Sequence, residues 1–287
     1  FVRWLRHESK IDPGRWCAYS RGGAAHWYQM PSTLEILNFA TPETLRCEMF
    51  RDVRAHKSIK QVDLGAFDKG LIARAQQEHP VLADAHVLHP SLMFRALSGA
   101  WEGTAPVKLI ADSTRFEKFP VLPLPAGVTL PPKFTVVKFY ARHTFAMHPQ
   151  TVKWTQHALT HMAQREPVIV LDTAPDIDDH ALFLPPEGPN VIRLSQMVPT
   201  VEPSDNLALQ SAVLARASRF VGTYGGFAQL ALSLGIPSVS FYQHLNGTMP
   251  WHLELSQRLS RSNNVPFVAL QPVKDVELLS MVFGGGA

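Results

Sequence analysis

Short apolar runs alternate with longer amphipathic stretches along most of this chain, a pattern of strands and helices taking turns. Residues 15–20 and 34–39 read as strands. Thr41-Pro42-Glu43 then offers a cap, a proline at the first helical position and an early acid, so a helix is predicted over 41–57. Residues 68–79 read as a further helix, and 85–88 as a short strand that delivers His89-Pro90-Ser91 at its end. The second half repeats the theme, with strands at 134–140, 167–172 and 191–194. One helix begins near Pro149, and another over 207–216 follows the cap Pro203-Ser204-Asp205-Asn206. The order predicts an α/β protein.

The most explicit stretch is 217–242. Phe220 and Val221 suit a buried strand, residues 222–226 turn sharply through glycine, and residues 227–234 are apolar all round, as in a helix packed on a sheet. Gly235 fits the left-handed helix cap, and Pro237 stops continuation before a second strand. Such a turn belongs at the carboxyl end of a strand in an open α/β sheet, where the following helix aims free N–H groups at a ligand. The predicted guest is an anion.

Between Phe116 and Lys133, Pro120, Pro123, Pro125, Pro131 and Pro132 with Gly127 mark an irregular connector. Domains are therefore expected at 1–130 and 131–287, since 287 residues suffice for two compact bodies. The chain opens on Phe1 rather than Met, in a basic and partly helical segment, so residues missing upstream are expected. Apolar content of 46% with 18% charged residues is that of a soluble globular protein, and a formal charge of +3 with interleaved signs argues against nucleic acid as partner. Cys17 and Cys47 make no disulfide framework, and no apolar run approaches the ~20 residues that span a bilayer. These features predict a cytoplasmic protein, with contact at a membrane surface left open. The Asn246-Gly247-Thr248 sequon carries little meaning in such a setting.

Candidate chemistry collects at predicted strand ends. Arg21-Gly22-Gly23 can bring backbone and a guanidinium to a substrate, or be a plain exposed turn. Lys138, Arg142 and His143 follow the strand over 134–140 and can neutralise a phosphate; a solvated loop explains them equally. Asp176, Asp178, Asp179 and His180 can hold a divalent cation, act as a base or meet sugar hydroxyls, or form a polar loop over a helix start. His157 and His161 share a helix face but lack the Glu of a zinc-protease motif, so no metal site is expected there. Dehydrogenase, nucleotide-triphosphatase and α/β-hydrolase readings lose ground. No G-x-G-x-x-G or G-x-S-x-G motif occurs, and Leu71 and Ile72 stand where a phosphate-binding loop opened by Gly65 and Gly70 needs Lys and Ser/Thr.

Phe220-Val221-Gly222-Thr223, Gly226, Gln229-Leu230-Ala231 and Leu234-Gly235-Ile236-Pro237 resemble the donor-binding part of GT-B glycosyltransferases, and within them the lipopolysaccharide heptosyltransferases. The resemblance implies two Rossmann-like domains facing a cleft, with an acceptor-side first domain that reads as incomplete, because no glycine-rich βα unit precedes Arg15. It implies a nucleotide-sugar donor, a glycan or other hydroxyl acceptor, and no resident cofactor or catalytic metal. Thr223, Tyr224, Gly225, Gly226 and Phe227, with Lys138 and Arg142, would hold the donor diphosphate. Arg21, Gly22, Gly23 and His180 would meet substrate, and the base would be His89, His26 or Asp179. The chain departs from the pattern at Tyr224 and Gln229, where the heptosyltransferases carry Asp and His. Leu230 stands where retaining enzymes place an acid, which favours inversion. A non-catalytic nucleotide-sugar-binding protein and a metal-dependent hydrolase using Asp178, Asp179 and His180 are the alternative expectations.

Overall fold

The computed structural model describes residues 1–11, 16–21, 25–28, 35–39, 63–101, 104–141, 145–146, 148–173, 181–183, 188–202, 205–244 and 249–272. The chain divides into two compact units, Phe1–Arg115 and Phe116–Ala287.

In the first unit, helix α1 (Val2–Ile11) precedes two parallel strands, β1 (Cys17–Arg21) and β2 (Glu35–Phe39). Trp4 and Leu5 of α1 are buried. The buried Arg6 guanidinium donates to the Trp27 carbonyl from Nε at 3.0 Å and from Nη2 at 2.7 Å, which satisfies a charge that burial would otherwise penalise. Helices α2 (Ala66–Glu78) and α3 (Pro90–Ala96) follow. The strand expected over 85–88 does not form: among the described residues no strand pairs with it, and Ala85 N–H donates instead to Leu82 O at 3.0 Å before the chain enters α3. The helix expected over 41–57 lies outside the described residues.

The second unit is an α/β sheet of six parallel strands. They are β3 (Thr135–Ala141), β4 (Val168–Val170), β6 (Val191–Arg193), β7 (Arg219–Thr223), β8 (Ser238–Phe241) and β9 (Phe267–Leu270). Their spatial order is β6-β4-β3-β7-β8-β9. Numbered along the chain, that is 3-2-1-4-5-6, the order of Rossmann-like sheets. The short antiparallel β5 (Ala181–Phe183) pairs with Phe139 to Ala141, beyond the point where β4 has ended. Its place in an acidic stretch hid it from the periodicity, and β9 with the preceding helix lay beyond the expected elements.

Strand alternation divides β3 between two faces. Val137 and Phe139 join Val168, Val170, Val221 and Phe241 in a core covered by Leu159 and Met162 of helix α4 (Pro149–Ala163). Trp154 of α4 meets the Phe241 ring edge-on at 4.5 Å between centroids. Val136, Lys138 and Tyr140 belong to the opposite face, which helices α5 (Asn206–Leu214) and α6 (Gly226–Leu234) cover. Helix α7 (Met249–Asn263) packs beside α6.

The division at Arg115 and Phe116 falls at the start of the proline-rich stretch rather than at its end. The stretch is tied to the second unit. Phe119 N–H donates to Ser233 O at 2.7 Å, Arg216 Nη1 donates to Leu122 O at 2.9 Å, and Phe119 and Leu122 are buried. Among the described residues no helix is long and apolar enough to cross a membrane.

Candidate functional site

The chain runs from β3 outward to β6 and then returns to β7 on the other side of β3, so the carboxyl ends of β3 and β7 face the crevice where strand order reverses. Ligands of open α/β sheets collect there. Gly222 lets the two strands approach: a Cβ at this position would overlap the Lys138 carbonyl and crowd the Phe220 ring. Thr223 closes the ladder, its Oγ1 accepting from Tyr140 N–H and donating to Tyr140 O, both at 3.0 Å. That hydroxyl is fully buried and splices the strands, so it is not a donor-binding group.

Tyr224 is also turned inward, against expectation. Its N–H donates to Phe241 O at 2.8 Å, and its hydroxyl lies 3.0 Å from Ser256 Oγ. Burial pushes the phenol up to about 12, outweighing the hydrogen bonds from Ser256 and Gln229 that pull it down, so it stays neutral. Gln229 thus serves Tyr224, and Leu230 belongs to the core.

Gly225 is required by a side chain rather than by a ligand. A Cβ there would overlap the Tyr140 hydroxyl, which lies against the turn. Gly226 differs, for nothing stands within 4 Å of a Cβ built on it. A positive φ occurs at Gly235, at 84°, where it forms the expected left-handed cap of α6. Gly226, Phe227 and Ala228 open α6, and their amides have no intrahelical acceptor. The turn therefore combines two close packings with one open, electropositive face.

Lys138 comes to the same place from below. It is 7% exposed, and its Nζ donates to Gln210 Oε1 at 2.7 Å and Leu171 O at 3.3 Å while lying 4.3 Å from the centroid of the Phe227 ring. Gln210 in turn donates from Nε2 to Asn206 Oδ1 at 2.8 Å and Thr173 Oγ1 at 3.1 Å, and Thr173 Oγ1 donates to Asn206 Oδ1 at 2.6 Å. The buried ammonium and the Gln210 carboxamide satisfy one another here, and the Asn206 carboxamide is engaged through its oxygen. Sequence reasoning missed Tyr140, Thr173, Asn206 and Gln210. Only Gln210, a long polar side chain beside Ser211 in the otherwise apolar middle of α5, offered a signal.

Of the base candidates, His89 is committed elsewhere. It is the N-cap of α3: Nδ1 accepts from Ser91 N–H at 3.1 Å, and Nε2 sits buried 3.4 Å from Asp68 Oδ2 without a well-aimed hydrogen bond. Its capping lone pair is the one a general base would need, so the catalytic expectation for His89 is withdrawn. His26 falls in the short helical turn Ala25–Tyr28, and Arg21 ends β1. Gly22, Gly23, Arg142, His143, Asp178, Asp179 and His180 lie outside the described residues. Among the described residues no cluster of three or more His, Cys, Asp and Glu could hold a metal ion. The chain matches no model of a known protein family, and no curated protein matches it significantly.

Proposed function

We propose that this chain is a GT-B glycosyltransferase that moves a sugar from a nucleotide diphosphate donor to a hydroxyl acceptor. The acceptor oxygen attacks the anomeric carbon, the carbon–oxygen bond to the diphosphate breaks on the opposite side, and a base takes the acceptor proton. This displacement inverts the anomeric centre and needs no bound metal. The open face of Gly226 at the start of α6, at the reversal point of a 3-2-1-4-5-6 sheet, carries the reading. There the unpaired amides of α6 favour the charge that develops on the leaving diphosphate, with Lys138 close behind Phe227. His26 and Asp179 are the remaining candidates for the base.

A second reading, a protein that binds nucleotide-sugars without turning them over, is favoured by one observation: Thr223 and Tyr224 spend their polar groups inside the fold, and Leu230 is a core residue. Thermal unfolding and nucleotide release with UDP-, GDP-, ADP- and CMP-sugars separate the two. Stabilisation with release in the presence of an acceptor supports transfer; stabilisation without release across a broad acceptor panel supports the binding protein. No response to any nucleotide would sink both.

A further inference from the structure

The hydrogen-bond network below α6 has a direction, and the direction ends on an unassigned residue. An ammonium can only donate, so Gln210 must turn Oε1 toward Lys138, which leaves its Nε2 facing Asn206 and Thr173. Asn206 must then present Oδ1, which accepts from both Gln210 Nε2 and Thr173 Oγ1. The two N–H groups on Asn206 Nδ2 are thereby turned away from the network. No hydrogen bond among the described residues uses them, although Asn206 is only 9% exposed. The carboxamide stands on the first residue of α5, where the helix dipole also favours negative charge, and beside Thr173, just past the carboxyl end of β4. It is two hydrogen bonds from Lys138, whose ammonium lies over Phe227 at the start of α6.

We infer that Asn206 is a ligand-contacting residue of this crevice, its Nδ2 donating to an oxyanion of the diphosphate while the α6 amides take other oxygens of the same group. The inference rests on the reading of the crevice as a diphosphate site and adds a residue to it. A diphosphate carries acceptor oxygens on two phosphorus atoms and so can meet both donor sets. Gln210 acts as a positioning residue, since its own amide is what forces Asn206 to present nitrogen.

The decisive variant is Asn206→Asp. One carboxylate oxygen still accepts from Gln210 and Thr173, so the fold keeps its network, but the other replaces a donor by a negative acceptor. Titration calorimetry with inorganic pyrophosphate, UDP, GDP and ADP, beside thermal unfolding, provides the test. Binding weakened roughly ten- to hundredfold at an unchanged unfolding temperature is the expected result. Asn206→Ala, which removes the donor without adding charge, should weaken binding less, and it serves in its place if the Asp variant fails to fold. Wild-type binding that both variants leave intact overturns the role of Asn206 and spares the site. A wild-type protein that binds neither pyrophosphate nor any nucleotide overturns both.

Discussion

At the residue scale, three glycines that read alike in sequence have three different reasons to be there. Gly222 answers to the Lys138 backbone, Gly225 to the Tyr140 hydroxyl, and Gly226 to nothing within the fold. The contrast is measurable. Gly226→Val places its side chain in open space, so the protein should keep its unfolding temperature to within a few degrees while nucleotide diphosphate affinity falls at least about tenfold. Gly225→Ala should instead lower stability, by about 1–3 kcal/mol, with Tyr140→Phe recovering part of the loss because the clashing atom is the hydroxyl. Chemical denaturation of the single and double variants measures that coupling. Additive losses would mean that Tyr140 does not set the requirement at Gly225.

At the element scale, the amino ends of β3 and β7 are joined by a polar clasp as tight as the Thr223 splice at their carboxyl ends. Glu166 accepts from Thr135 Oγ1 at 2.6 Å and pairs with Arg219, whose Nε also donates to Thr135 Oγ1 at 2.9 Å. Burial alone would raise the Glu166 carboxyl, but the hydrogen bonds from Thr135 and Arg219 and the nearby charges outweigh it and hold the group below its usual 4.5. A depressed carboxylate contributes stability that is fully present above the unfolded value and is lost as pH falls through the folded one. Unfolding followed from pH 7 to pH 3 should therefore show Glu166→Gln least stable relative to wild type near neutrality. The gap should narrow below about pH 4.5. A gap that stays constant across that range would assign the clasp no ionic contribution.

At the scale of the molecule, the strand order gives the second unit two unlike edges. The carboxyl edge holds the α6 amides, Lys138 and Asn206, and the amino edge holds the Glu166 clasp. Hydrogen exchange with and without a nucleotide diphosphate should show added protection at 224–230 and at Asn206, and none around Thr135 or Arg219. Protection confined to the amino edge would move the site away from the strand-order reversal.

Much of this was readable along the chain because it is local. Phe220-Val221, the glycine turn, the apolar run over 227–234, Gly235 and Pro237 announce strand, turn, helix, cap and strand, since period, backbone freedom and capping act within a few neighbouring residues. The same logic failed at 85–88, where a strand needs a partner that no local pattern supplies, and at His89, whose lone pair a nearby helix start had already claimed. The sequence by itself determined the α/β alternation and the glycine turn that precedes α6. Only the tertiary structure decided that Thr223 and Tyr224 face inward, that Gly226 is the open one among the three glycines of the turn, and that Lys138 reaches Asn206 through Gln210. Those outcomes depend on which side of the sheet a residue faces and which distant element lies opposite. Lys138 and Gln210 stand 72 positions apart in the chain and 2.7 Å apart in the fold, and only the crossover that brings α5 over β3 makes them neighbours.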